Sequence, residues 1–310
     1  MFTLIEHARM AVGVKSMAAL STAYLNALTH ARNRVQGADR PGAADEAAPP
    51  ALIVECPDAR RMLMAQKAHA EGMRALALFT ASVQDEVERA GGPGAAAGLE
   101  ALNGLLLPLV KGYCSEKAYE ILALSLQTCG ASGYTEDYPV EQYIRDQKID
   151  TLYEGTTHMQ ALDLVLRKIA RDGGVALREL LGRIRATVDG LTADGPLSVE
   201  RRALREALGE LEAAFSALLA KLRESPYHAG LQGNRVLFAL AEVVIGWLLI
   251  RHADVALRRR EENPTDRDFY AGKLCSARWW CRNVLPSVGL TRHLVESSTL
   301  ELMAMANGCF

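Results

Sequence analysis

One stretch concentrates side chains able to do chemistry. Residues 127–160 read QTCGASGYTEDYPVEQYIRDQKIDTLYEGTTHMQ. A helix is predicted to end at Gly130; an irregular loop with Gly133, Tyr134 and Tyr138 follows, and a charged segment leads to Tyr153-Glu154-Gly155-Thr156-Thr157. Thr157 with Gln160 fits a capping box, which places Glu154 just ahead of a helix N-terminus. The helix dipole there favours an ionised carboxylate, and Gly155 lets a ligand approach the backbone closely. A carboxylate so held is suited to general-base work; a capping or solvated role is the alternative.

Other chemistries find no residues to carry them. Di-iron bundles need Glu-x-x-His pairs on facing helices, yet the residues three before the seven histidines are Leu4, Ala27, Gln66, Gly155, Ser225, Leu249 and Leu290, so no metal site is expected. A phosphate-binding Gly-x-x-x-x-Gly-Lys-Ser/Thr loop is absent, and Gly130-Ala-Ser-Gly133 lacks the spacing of a Gly-x-Ser-x-Gly elbow. Six cysteines without a Cys-x-x-Cys pair are too sparse for a disulfide framework and wrongly spaced for zinc. A reducing, cytoplasmic setting follows as the expectation. Lys and Arg number 35 against 37 Asp and Glu, so the basic excess of a nucleic-acid binder is missing. Glu6, His7 and Arg9 stand where a signal peptide needs an apolar core. The most apolar run, 236–250, contains Glu242 and is too short to cross a bilayer, so no membrane association is expected.

The elements that must position Glu154 read as helices. Leu4, Met10, Val14, Met17, Leu20, Tyr24 and Leu28 recur at three- and four-residue steps along a proline-free first forty residues. Residues 37–50 are polar and turn-rich and predict a loop. A second helix should start at Pro57 and run to about Arg89, since proline suits a first helical turn. A third covers roughly 99–128 with Pro108 as a kink or late start, and shorter helices are expected over 139–148 and 157–171. Asp172-Gly173-Gly174 is the candidate domain boundary, dividing the chain into 1–172 and 173–310. Beyond it helices are expected near 175–189, 198–224, 232–261 and 266–283. No alternating strand pattern is present, and Leu52-Ile53-Val54 is too short to count. The fold class is all-α, in two helical bundles.

Gln127-x-x-Gly130-x-x-Gly133-Tyr134, Tyr138-Pro-Val-Glu141, Arg145-Asp146 and Tyr153-Glu-Gly-Thr156, in that order, resemble the C-terminal α-domain signature of the acyl-CoA dehydrogenases. Glu6-His-Ala-Arg9 is similar to the start of that domain's first long helix, and Ala31-Arg-Asn-Arg34 to its end. Residues 175–310 resemble, by position and helical pattern, the additional helical domain of the larger bacterial members, a group that includes 3-methylmercaptopropionyl-CoA dehydrogenases. The resemblance implies a four-helix-bundle-like domain followed by a second helical domain, and an FAD enzyme that oxidises the α,β bond of an acyl-CoA. Glu154 matches the family's catalytic base. Arg34, Gln127, Gly130, Thr156 and His158 match positions that touch FAD, with Arg34 reaching the diphosphate of a neighbouring subunit. Gly155 matches a thioester contact, and Glu6 and Arg9 fall where members contact the acyl-CoA.

The family further implies an electron-transfer flavoprotein as electron acceptor and a homodimer or homotetramer. This sequence departs from the family at several points. Arg34-Val-Gln-Gly37 shortens the usual Arg-x-x-Phe-Gly, Ala131 replaces a second glycine, His158 replaces a glutamine, and Cys56-Pro57 stands where a His-Gln pair is expected. The N-terminal helical and β-domains that precede this region in the family have no counterpart in these residues. The expectation is therefore about half an active site. A helical scaffold or partner-binding fragment without turnover of its own is the alternative.

Overall fold

A computed structural model describes residues 2–38, 49–92 and 94–310. Helix α1 (Phe2–Asn33) leads into a two-stranded antiparallel ribbon, β1 (Val35–Ala38) and β2 (Pro50–Leu52), in which Val35 lies opposite Leu52 and Ala38 opposite Pro50. The ribbon corrects the strand-free expectation. Its residues are exposed or half-buried throughout, so no alternation of apolar and polar positions existed to betray it. The ends of the expected loop over 37–50 pair in this ribbon, and residues 39–48 lie outside the described residues. Helix α2 (Pro57–Arg89) begins on the proline as the sequence predicts.

The expected third helix is a broken rod. Helix α3 (Ala97–Pro108) passes through a π-helical turn, Leu109–Tyr113, into α4 (Cys114–Cys129). Pro108 removes one N–H from the ladder and crowds the preceding turn, and the wider π turn directly after it lets the rod continue. Leu102, Leu105, Leu106, Leu109, Val110, Tyr113 and Cys114 are fully buried, because this rod runs through the core. Helices α5 (Val140–Lys148) and α6 (Thr157–Leu162) follow, and α6 continues as a π-helical segment to Ala170. Gly173 and Gly174 turn the chain with positive φ, and the Asp172 carboxylate accepts the Val175 and Ala176 amides at 2.6 and 3.1 Å. That caps α7 (Val175–Gly190).

Helices α8 (Ser198–Lys221), α9 (Tyr227–Glu262) and α10 (Arg267–Asn283) match the expected segments, with α9 starting earlier than its apolar run suggests. Two helices were not anticipated, α11 (Ser287–Glu296) and α12 (Glu301–Ala304). Only Val288 and Val295 of α11 are buried, which leaves no stripe to read. By length and composition α9 could cross a membrane, contrary to the reading of its 15-residue core. Its most apolar 18-residue window is 83% buried inside the protein, however, so other helices already cover that surface. Helices α2 and α6 pack on α9 from the first half, and α8, α10 and α11 from the second. One continuous apolar core therefore runs from Leu20 to Val295, and the Asp172–Gly174 turn does not divide it.

Two buried features give measurable predictions. A Cβ on Gly13 of α1 would overlap the Val110 side chain and sit 2.9 Å from the Val110 carbonyl oxygen, which the rod backbone cannot move. Gly13→Ala is expected to lose about 1–3 kcal/mol. Gly209, exposed on α8 with open space around it, gains about 0.5–1 kcal/mol as alanine. Urea melts of the two variants check both signs. Glu242 of α9 is buried beside the Ser287 hydroxyl at 2.9 Å, and burial pushes its pKa up from 4.5 to about 7 although Lys117 pulls it down. The folded state thus holds this proton more tightly than the unfolded chain. The associated stability is fully present below pH 4.5 and is lost as pH rises through 7. Glu242→Gln should stabilise the protein by up to ~3 kcal/mol at pH 8 and far less at pH 4.5, read from melts at the two pH values.

Candidate functional site

The turn carrying Glu154 is built on the end of α5. Ile149–Thr151 forms a 3₁₀ turn, and the Leu152 and Tyr153 amides both donate to the Ile149 carbonyl at 3.0 and 3.1 Å. Glu154 follows at φ +57°, alone among the described non-glycine residues in having a positive φ, and Gly155 continues at +89°. A left-handed residue with a Cβ costs about 1–2 kcal/mol, so this backbone is held against its preference. The Glu154 side chain is exposed.

The predicted capping box does not form. Thr156, not Thr157, is the N-cap of α6, and it makes no side-chain cap bond. The Thr157 hydroxyl instead donates to Glu116 Oε1 of α4 at 2.7 Å. A bond to a carboxylate is stronger than one to a backbone amide, so Glu116 wins the hydroxyl. Gln160 reaches back, but as a donor: its Nε2 lies 3.2 Å from the Glu154 carbonyl and 3.4 Å from that of Gly155.

The second anchor escaped the sequence reading. Lys111 lies in the π turn with its side chain buried, and its Nζ donates to the Gly155 carbonyl at 2.7 Å. Burial pushes the Lys111 pKa down, while Glu116, Asp150 and Glu154 pull it back up and Arg9 lowers it further. The available signal was a single charge in the apolar run Leu105-Leu-Leu-Pro-Leu-Val-Lys111. Around it, the fully buried Asp150 accepts Lys15 Nζ at 3.0 Å, and Gln147 Nε2 donates to the Ser16 hydroxyl at 2.9 Å.

The expected site residues fall into two groups. Glu154, Gly155 and Thr156 form one, beside Lys111. His158 belongs to the same turn, but its ring packs towards Gly230 of α9. Arg9 lies under the group, its guanidinium 2.7 Å from Asp163. Glu6, one turn earlier, lines a cleft of about 680 Å³ with His7, Asp85, Glu88 and Lys168. The second group sits at the other end of α4. Arg34 is exposed at the end of α1 and borders a hollow of about 400 Å³ with His30, Asn33, Ser132 and Tyr138. The His30 pKa is lowered by partial burial and by Arg34. Gln127 is exposed on the last turn of α4, and Gly130 ends that helix at φ +62°, ψ −146°, a conformation that only glycine adopts readily. Eleven residue steps along α4, from Glu116 to Gln127, separate the groups by roughly 16 Å. Among the described residues no group of His, Cys, Asp and Glu is arranged to hold a metal.

Residues 1–169 match the family model for the acyl-CoA dehydrogenase C-terminal domain. The chain belongs to the acyl-CoA dehydrogenase family. Residues 180–306 match a second model, described as acetyl-CoA dehydrogenase C-terminal like. The chain is 46% identical over its whole length to the broad-specificity linear acyl-CoA dehydrogenase FadE5 of Mycobacterium tuberculosis, covering 52% of that protein. It is 37% identical to 3-methylmercaptopropionyl-CoA dehydrogenase of Ruegeria pomeroyi, over 92% of this chain and 48% of that one. The fold is shared with an acyl-CoA dehydrogenase from Bacillus anthracis solved with FAD, at a TM-score of 0.74 and 16% identity over 99% of this chain and 50% of that one. The chain thus spans about half the length of the curated relatives it matches.

The left-handed backbone at Glu154 stores strain that a melt can read. Glu154→Gly should relieve the left-handed strain and raise stability by about 0.5–1 kcal/mol, whereas Glu154→Val should lower it. Chemical melts of both variants test the sign.

Proposed function

We propose that this chain supplies the catalytic base of an FAD-dependent acyl-CoA dehydrogenase, with Glu154 removing the α-proton of an acyl-CoA thioester. The observation that carries this reading is the exposed Glu154 carboxylate on a strained turn, anchored from below by Lys111 and Gln160. A scaffold role leaves that strain without a purpose. In the reaction, the α C–H bond breaks and its proton passes to Glu154. Bound FAD supplies the acceptor for the β-hydrogen, which leaves as hydride while the α,β double bond forms. Gly155 would lie against the thioester beside the base. Glu6 and Arg9 flank the acyl-CoA from α1.

The residues at the second group suit the cofactor's anionic part. Gly130 presents open backbone, with nothing within 4 Å of where a Cβ would stand, next to the exposed Arg34 guanidinium and the adjoining hollow. Arg34, Gln127 and Gly130 would hold the diphosphate and adenine side, and Thr156 and His158 would lie towards the flavin. A homodimer or homotetramer that shares FAD sites between subunits belongs to the same reading. Electron-transfer flavoprotein as acceptor and a cytoplasmic setting complete the reading, and fatty acid metabolism is its context. Because the chain matches about half of its relatives' length, the activity belongs to a holoenzyme that also contains the rest of that length.

Glu154→Gln in that holoenzyme keeps the shape of the side chain but cannot accept a proton. Flavin bleaching on mixing with acyl-CoA in stopped flow should slow by at least roughly 10²–10⁴-fold, with FAD content and acyl-CoA binding retained. Glu141, which pairs with Arg145 at 3.0 Å, and the exposed Glu136 are controls whose Gln variants should keep most activity. Bleaching by Glu154→Gln at near wild-type rate would assign the base elsewhere.

A further inference from the structure

We infer that Lys111 is a positioning residue for Glu154: its buried ammonium clamps the Gly155 carbonyl and holds the base in its left-handed turn. This deepens the proposed function and rests on it. The argument starts from what a buried lysine requires. Taking an ammonium out of water is expensive unless its charge and donors are met, so a lysine inside a rod of leucines needs a return. Leu105, Leu106, Leu109, Val110 and Tyr113 around it on the same rod are all buried, and an apolar residue at position 111 would extend that core. The return is the 2.7 Å bond to the Gly155 carbonyl.

That carbonyl is the one place where such a bond controls the base. Glu154 at φ +57° and Gly155 at φ +89° reverse the chain just before α6, and neither backbone angle is a deep minimum for an ordinary residue. The Gly155 carbonyl is fixed by Lys111 from inside the protein and more weakly by Gln160 at 3.4 Å; the Glu154 carbonyl is held by Gln160 at 3.2 Å. The π turn explains how Lys111 gets there. Its extra residue per turn re-aims the side chains after Pro108, and Lys111 is the turn's central residue. Lys111 lies within electrostatic reach of Glu154, with Glu116 from α4, Asp150 from the turn after α5 and Arg9 from α1 as its other charged neighbours. Tyr153 also faces Glu154, and Lys15 pairs with Asp150.

Lys111→Met in the FAD-loaded holoenzyme separates positioning from mere stability. The expected result is a stopped-flow flavin-reduction rate lower by about 10-fold or more, with FAD content unchanged and acyl-CoA Kd within about threefold. A lysine that only fills space would let methionine keep the rate. Lys111→Gln keeps a donor for the Gly155 carbonyl without the charge, and it should restore part of the rate lost in Lys111→Met. A folded, flavin-loaded Lys111→Met enzyme with a rate within threefold of wild type would overturn the assignment. So would failure of both variants to fold and bind flavin, which would make Lys111 a folding residue. Glu154→Gln run in parallel separates the two levels. If it reduces flavin normally, the proposed base is wrong; if it is inactive while Lys111→Met is normal, only the clamp is wrong.

Discussion

Burial of α9 is the constraint on which the rest of the molecule depends. From Val236 to Ile250 nearly every side chain of this helix is apolar and buried, with Glu242 among them, so no face can be left to solvent. A helix apolar all round must be wrapped, and the helices that wrap it come from both ends of the chain. Gly72 of α2 and Gly246 of α9 mark the closest approaches: a Cβ on either would meet Ile245 or Leu285 and Trp280. The Trp280 indole donates to the Glu242 carbonyl at 3.0 Å and fixes α10 against the same helix. Helix α6, which begins immediately after the Glu154 turn, packs on α9 through Ala161 and Gly233. The candidate site is therefore positioned by the region that residues 175–310 complete.

Part of this order is legible in the sequence because it obeys local rules. The start of α2 at Pro57 and the start of α7 just after Asp172-Gly-Gly follow from such rules, and tertiary contacts do not override them. The stripe expected on α1 is corrected: Leu4 and Val14 are exposed, and Val12, Leu20, Ala23, Ala27 and Ala31 form the buried face, because the close packing of α1 on the rod selects small residues. The ribbon and α11 were illegible for the opposite reason: too few of their residues are buried to leave a period. The break at Pro108 could be seen, but not its resolution as a π turn. That outcome depends on the rod being enclosed, since a buried chain keeps its hydrogen bonds by widening the helix sooner than by ending it.

The site divides along the same line. Glu154, Gly155 and Thr156 stand out in the sequence because their types and order are specific. What holds them does not stand out, because it is long-range. Thr157 and Gln160 have the spacing of a capping box, yet Glu116 takes the hydroxyl of one and the Glu154 and Gly155 carbonyls take the amide of the other. Local pattern assigns a side chain its cheapest nearby partner; it cannot know that a carboxylate forty-one residues away will be within 2.7 Å. Lys111 is the extreme case, forty-four residues from the carbonyl it binds.

Several violations of the ordinary rules lie around this turn. Besides the left-handed glutamate and the buried lysine, Gln147 Oε1, Asp150 Oδ2 and Gln160 Oε1 are buried polar atoms with no hydrogen-bond partner among the described residues. Each such atom costs about 1–3 kcal/mol, a penalty that an isolated turn could not bear. Here it can be borne, because the turn is fastened between α1, the π turn of the rod and α9, all of them sunk in the continuous core. The dependence runs one way. Lys111 and Glu154 draw on stability that the continuous core supplies, which under the proposed function is stability exchanged for chemistry.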